Sequence, residues 1–344
     1  MRGTWILFRT LKLSLFFVFC IAKTINIKTC TKIEKYSMET EVQNGQYMCN
    51  DPFRIEGRPV FGGQIFSHVI GCALKEIEGY DVVTAQCIFQ DKTDPDLPII
   101  YRSTDESLGK TVKMVKVEVL QEKDGVEAVR AVGTVLMQKN KSVIMQEKKK
   151  YIETIVKTQI NPLSEYFSPG TTDPQKIKKM QTVEKYMESI LKSKDDFEAY
   201  MQTAHKIYSG ADVFMLRNKK CPFSRCVGYK LRLPKGEAVS LPKKDELNRV
   251  YTYLSFISDE YLLESSLIGK GMCIVNTQYN ILTLSHSISF NNCEDFKINR
   301  PFFYTMWVDS IQNNMANCSG MIVQGQKVYA NIKQTGKIIA LSRG

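Results

Sequence analysis

TVKMVKVEVLQEKDGVEAVRAVGTVLMQ, residues 111–138, reads as two β-strands and the turn between them. Apolar side chains, many of them β-branched, alternate with polar ones on both sides of Asp124-Gly125, a dipeptide that favours the tight turn of a hairpin. Upstream, PIIYRSTDES (98–107) reads as a third strand, so 98–138 forms an antiparallel meander with one buried and one wet face. A similar series returns from Asn276 onward as NILTLSHSISF, FFYTMWVDSI, SGMIVQGQ and KVYANIKQTGKIIALS, with Gln324-Gly325 and Thr335-Gly336 read as turns.

A helical pattern precedes each meander. The first runs from about Gly63 to Glu76, with Ile65, Val69, Cys72 and Ala73 on one apolar stripe. The second lies around Asp259 to Leu267 (DEYLLESSL) and extends upstream through Leu254 and Phe256. Helix followed by strands thus occurs twice, which predicts two copies of one α+β unit, over 45–138 and 206–344, each wrapping its sheet on its own helix. Between them, 139–205 is polar and lysine-rich (KNKSVIMQEKKK, KIKKM, KSKDDFEAY) and reads as a helical, solvated linker or insertion.

Composition narrows the function classes. The 344 residues carry 47 Lys+Arg against 36 Asp+Glu, a net charge of +11, with 43% hydrophobic and 24% charged residues. Those proportions exclude wholesale disorder, a collagen-like fibre and a many-pass membrane protein. Ten cysteines but only three histidines argue against a histidine-rich metal site. No C-x-x-C occurs, and Cys221 and Cys226 flank Pro222–Arg225 without histidine partners, so neither zinc nor any other metal is expected. The scattered cysteines fit buried, unpaired small hydrophobes better than a disulfide framework. The lysine runs lack interleaved aromatics, so a wet face is preferred to nucleic-acid binding.

At the N-terminus, Arg2, Arg9 and Lys12 precede an apolar run from Leu13 to Ala22, and no acid appears before Glu34. Residues 1–22 have the pattern of a signal or targeting segment, secretory or mitochondrial, and the run is too short for a settled membrane span. Removing them takes away three basic residues and no acid, so the remainder stays basic. Asn140-Lys141-Ser142 and Asn317-Cys318-Ser319 match the glycosylation triplet, which carries weight only along a secretory route.

The most informative motif is Arg58-Pro59-Val60-Phe61-Gly62-Gly63-Gln64. Two glycines after an aromatic and directly before a helix allow close backbone approach, and the helix start offers free N–H groups to a carbonyl oxygen or anion. The spacing fits neither phosphate-binding glycine loop. RPVFGGQIFSH, followed by Pro98–Tyr101, Gly109-Lys110-Thr111 and Gln121, resembles the first half of the acyl-CoA thioesterase II family. In the second half Ser258-Asp259-Glu260-Tyr261-Leu262-Leu263 is similar to that family's S-D-x-x-x-L helix. Leu282-Thr283-Leu284-Ser285-His286-Ser287 is similar to its T-[IL]-D-H-S strand, and Tyr329–Gly336 to its closing V-A-x-x-x-Q-E-G. The resemblance covers roughly 55–138 and 210–340.

It implies a double hot-dog fold, α+β, with two long helices each wrapped by an antiparallel sheet. It also implies hydrolysis of fatty acyl-CoA to free fatty acid and CoA by an oriented water, without a cofactor. The catalytic set it implies is Asp259, Thr283 and Gln334, with Phe61, Gly62, Gly63, Gln64 and His286 at substrate-binding positions. A homo-oligomer is a further expectation, and relatives in the family are commonly peroxisomal, yet the chain ends Ser342-Arg343-Gly344, whose last residue departs from the S-K-L-type signal. Ser285 stands where the family has Asp, Thr335 where it has Glu, and the aromatic after His-Ser is missing. Blander roles exist for each residue: an acid at a helix start for Asp259, a good β-former for Thr283, an exposed amide beside a turn for Gln334, and a hydrogen-bonded structural imidazole for His286. Two rivals follow: a silent hot-dog protein that binds acyl-CoA or serves as a partner subunit, and a hot-dog hydratase or dehydratase. The latter needs an Asp–His pair on its helix, and the strand position of His286 argues against it.

Overall fold

The computed structural model describes residues 40–139, 211–231, 243–268 and 279–340, apart from short gaps within them, and a few residues between 181 and 198. The expected targeting segment, the C-terminal tripeptide and most of the lysine-rich middle lie outside these residues.

In the first half β1 (Glu41–Gln43) and β2 (Gln46–Cys49) lead to helix α1 (Gly62–Glu76). There follow β3 (Tyr80–Phe89), β4 (Ile99–Asp105), β5 (Val112–Lys123) and β6 (Val126–Lys139). After the two-residue β7 (Gln181–Thr182), β8 (Ala211–Arg217) and β9 (Ser224–Leu231) lead to helix α2 (Lys243–Ser258) and a single turn, α3 (Ser265–Ile268). Then come β10 (Tyr279–Phe290), β11 (Phe302–Gln312), β12 (Met315–Gln324) and β13 (Lys327–Ala340).

All these strands join one antiparallel sheet in the order β1-β2-β4-β5-β6-β3-β10-β13-β12-β11-β9-β8-β7. Outward from the β3–β10 junction the order is β3, β6, β5, β4, β2 on one side and β10, β13, β12, β11, β9 on the other. Strand for strand, the second half repeats the first. This is the double hot-dog fold.

Three side-chain devices recur at matching places. Gln121 on β5 donates to the carbonyls of Asp94 and Leu97 and accepts from the Asp94 N–H. Gln324 on β12 does the same for Lys297 and Arg300, across identical spans of 27 and 24 residues. Tyr101 on β4 and Tyr304 on β11 are both fully buried and both reach the helix layer through their hydroxyls, to His68 and to the Ser258 carbonyl. At Gly133 on β6 and Gly336 on β13 a Cβ would collide with Val69 and Leu263, so each half of the sheet presses on what lies beneath it at a residue that must lack a side chain.

Helix α1 forms because Ile65, Phe66, Val69, Ile70, Cys72 and Ala73 recur at helical spacing, and all are essentially inaccessible. Burying each large member contributes about 1.5–3 kcal/mol. The two helices run antiparallel against each other: Gly63 abuts the carbonyl of Phe256, and Gly71 lies near Thr252. The start of α1 therefore meets the end of α2.

Several expectations need correction. The second helix lies upstream of its expected place and ends at Ser258, so DEYLLESSL is mostly turn, with only Ser265–Ile268 helical again. Thr335-Gly336 is no turn; it sits inside β13, where the glycine answers a close approach by Leu263 and Leu282. The turn that the reading missed is Asn313-Asn314, both at positive φ, 51° and 62°. Strands β1, β2, β3, β7, β8 and β9 were also missed. Asp124-Gly125 makes the expected hairpin, with φ of 55° and 78°. Among the described residues the cysteines are all buried, and no helix is long and apolar enough to cross a membrane.

Candidate active site

Asp259, Thr283 and Gln334 come from three elements and meet. Gln334 on β13 donates its amide hydrogens to Asp259 Oδ1 and to Thr283 Oγ1, the latter at 3.1 Å. Asp259 is the first residue beyond α2, in the turn that follows it, and not at a helix start as the sequence reading had it. Capping is therefore no explanation for the acid: the α2 carbonyl end disfavours a negative charge.

Thr283 reaches the site because of a bulge. His286 and Thr283 are an odd number of residues apart and would face opposite sides of a regular strand. A register shift between Thr283 and Ser285 turns both inward, with His286 opposite Gln334 and Thr283 opposite Gly336. The same shift fixes the place of the two departures from the family pattern. Ser285 and Thr335 are direct cross-strand partners on the outer face, where Thr335 donates to Asn317. They face away from the cluster.

The glycine pair stands at its mouth. A Cβ on Gly62 would lie 2.8 Å from Asp259 Oδ2, so only glycine lets the helix start approach the carboxylate this closely. Helix α1 has no acid in its first turn and no side-chain cap, and the Phe61 carbonyl is taken up by the N–H groups of Gln64 and Ile65. By helix geometry the N–H groups of Gly62 and Gly63 have no partner within the helix. Gly63 itself packs on the Phe256 carbonyl, and Phe61 is edge-on to the Phe256 ring at 5.1 Å. Gln64 is not brought to the cluster: it is fully buried, accepting from the Phe53 N–H and directing its amide nitrogen at Cys49. His286 is fully buried, 3.4 Å through Nδ1 from Asp259 Oδ1.

Residues that the sequence reading passed over complete the surroundings. Cys87 pairs with His286 across β3–β10, and burial pushes its thiol up, Asp259 adding to the rise. Phe89 lies beside Gly62. The turn after α2 is pinned from the far side. Tyr304 donates to the Ser258 carbonyl, Tyr229 on β9 donates to Glu260 at 3.0 Å, and Arg225 on β9 binds both Glu264 and Ser265. Tyr261 within it has φ of 61°, a costly conformation for a large side chain, and stacks under the Arg225 guanidinium. No sequence signal marks these partners beyond the apolar alternation of YDVVTAQCIF, which identifies β3.

Burial pushes the Glu260 carboxyl well above its ordinary 4.5, the hydrogen bond from Tyr229 opposing and the charge on Asp259 adding. The folded protein then holds a proton that the unfolded chain releases above that pH. The stability this gives is complete below 4.5 and drains away as pH rises toward the folded value. Glu260→Gln keeps an acceptor for Tyr229 and is expected to flatten this fall. Urea unfolding at mildly acidic and mildly alkaline pH measures it; equal losses in both proteins would refute it.

Comparison with known proteins agrees with this architecture. Residues 51–137 match the family model of the acyl-CoA thioesterase N-terminal domain. Among solved structures, the acyl-CoA thioesterase II TesB2 from Mycobacterium marinum is similar at a TM-score of 0.61 and 16% identity, over 91% of this chain and 99% of that one. The tesB protein of Mycobacterium avium subs paratuberculosis gives 0.62 and 13%, over 91% and 100%. A conserved protein of unknown function with a hot dog fold from Alicyclobacillus acidocaldarius gives 0.58 and 9%, over 90% and 98%. A search of curated protein sequences returned no match. The chain is thus a double hot-dog protein along its described length. By sequence the likeness to acyl-CoA thioesterases is confined to the N-terminal domain model over 51–137.

Proposed function

We propose that the protein hydrolyses fatty acyl-CoA to free fatty acid and CoA, with Asp259, Thr283 and Gln334 directing a water at the thioester carbonyl. The observation that carries this reading is the meeting of those three side chains around one glutamine amide. Each has a free valence suited to the task. Asp259 Oδ2 faces the start of α1, Gln334 Oε1 is buried without a hydrogen-bond partner, and the Thr283 hydroxyl already accepts from Gln334 and keeps its own hydrogen to donate. A water can give one hydrogen to Asp259 and the other to Gln334 and accept one from Thr283. One lone pair then remains for attack, which is how orientation lowers the barrier. The N–H groups of Gly62 and Gly63 at the α1 start, where the dipole is positive, would receive the developing oxyanion, typically worth about 3–4 kcal/mol. Acyl-CoA is the substrate partner, and the basic balance of the chain suits its anionic CoA portion.

Purified protein mixed with acyl-CoAs of graded chain length should release free CoA thiol, followed with a thiol reagent. Release no faster than spontaneous hydrolysis at every length would overturn the reading. CoA-ester binding without release would identify a silent acyl-CoA-binding relative instead.

A further inference from the structure

His286 has a hydrogen-bond pattern that the three-residue site leaves unused, and its consequence rests on the hydrolytic reading above. Ser258 Oγ lies 2.8 Å from the Ser255 carbonyl oxygen and 2.8 Å from His286 Nε2. A hydroxyl carries one hydrogen and a carbonyl can only accept, so the Ser258 hydrogen goes to Ser255. The second bond then needs a hydrogen on Nε2. In the neutral ring Nδ1 then carries the lone pair, buried, without a hydrogen-bond partner, and 3.4 Å from Asp259 Oδ1. The rest of the ring's surroundings supply no competing charge: the Phe66 ring of α1 at 4.7 Å, the amide of Gln334 across β13, and on β3 Cys87, whose thiol burial keeps protonated. Asp259 is the charged group that faces it.

We propose that Asp259 and His286 act as one base, with Nδ1 as the resting place of the proton taken from water. As the C–O bond to the thioester carbonyl forms, the water O–H bond breaks and the proton passes by way of Asp259 to Nδ1, leaving an imidazolium beside a carboxylate. When the tetrahedral oxyanion collapses, the C–S bond breaks and the same proton returns through Asp259 to the departing CoA thiolate; the acid product ionises in solvent. His286 acts through Asp259 and is a positioning residue. The order Ser258–His286–Asp259 invites comparison with a serine nucleophile, but the proton runs the other way. Nε2 donates to the serine and cannot take its hydrogen, and Ser258 is fully buried.

His286→Gln separates the two edges of the ring. Its amide nitrogen can still donate to Ser258, while nothing replaces Nδ1. The expected result is a kcat lower by about 10–100-fold with KM within about twofold. Nitrogen-15 NMR of the wild-type histidines supplies a reading independent of turnover, with His286 assigned by the signal lost in the variant. It should carry hydrogen on Nε2 and none on Nδ1. A variant with wild-type kcat, or a resting His286 protonated at Nδ1, would overturn the proposal. A wild type that releases no thiol would instead sink the hydrolytic reading, and the NMR tautomer would still judge the pair.

Discussion

Asp259→Asn is expected to lower kcat for acyl-CoA hydrolysis by about 10²–10⁴-fold while leaving the protein folded. The substitution is isosteric. Asparagine can keep an oxygen toward the Gln334 amide, so the link to β13 survives, but the group facing the start of α1 becomes a nitrogen that cannot take a proton. Stability should barely change, because two helix ends act on the lost charge in opposite senses. The carbonyl end of α2 repels it and the open N–H end of α1 attracts it, each worth about 0.3–1 kcal/mol. Thermal unfolding and steady-state kinetics on the same preparations test both halves. An active Asp259→Asn protein would remove Asp259 from the chemistry.

How much of this was legible in the sequence depended on whether the deciding physics was local. The Asp124-Gly125 hairpin and the α1 stripe were readable because a positive-φ turn and a one-sided helix are written in consecutive residues. Helix α2 was misplaced because both of its sides are covered, by α1 and by the sheet. Tyr251, Thr252, Tyr253, Leu254, Ser255 and Phe256 are all buried in succession, and that erases the periodic contrast. The stretch after it looked helical through its leucines, yet its fold is imposed from β9 by Arg225 and Tyr229, far away in sequence. Gly336 was read as a turn because glycine is ambiguous until the side chain above it is known. The types of the site residues were legible through resemblance. Their joint presence was not: Thr283 faces Gln334 only because of a bulge, and the bond between Ser258 and His286 exists only once a helix end meets a strand.

The turn that carries Asp259 should also be the place where a single substitution costs most stability. Arg225 and Glu264 form an ion pair at 3.1 Å with both side chains 4% exposed, and the second Glu264 oxygen has no hydrogen-bond partner. Removing two such charges from water costs several kcal/mol each, and their attraction roughly repays it only while both are present. Glu264→Ala would remove the carboxylate that faces the buried Arg225 guanidinium and is expected to destabilise the fold by about 3–5 kcal/mol, a large share of the total for an ordinary domain. Replacing both together, Arg225→Met with Glu264→Leu, removes the burial cost along with the bond and should recover most of that loss. Recovery of stability need not bring recovery of activity. Arg225 also donates to Ser265 and covers the Tyr261 ring, whose φ of 61° depends on being held, and Tyr261 follows Asp259 by two residues. The double variant should therefore unfold close to the wild-type denaturant midpoint yet hydrolyse acyl-CoA more slowly, because the carboxylate is no longer fixed against Gln334. A double variant as unstable as Glu264→Ala alone would show that the pair contributes more than it costs. One with full activity would show that the turn keeps its shape without it.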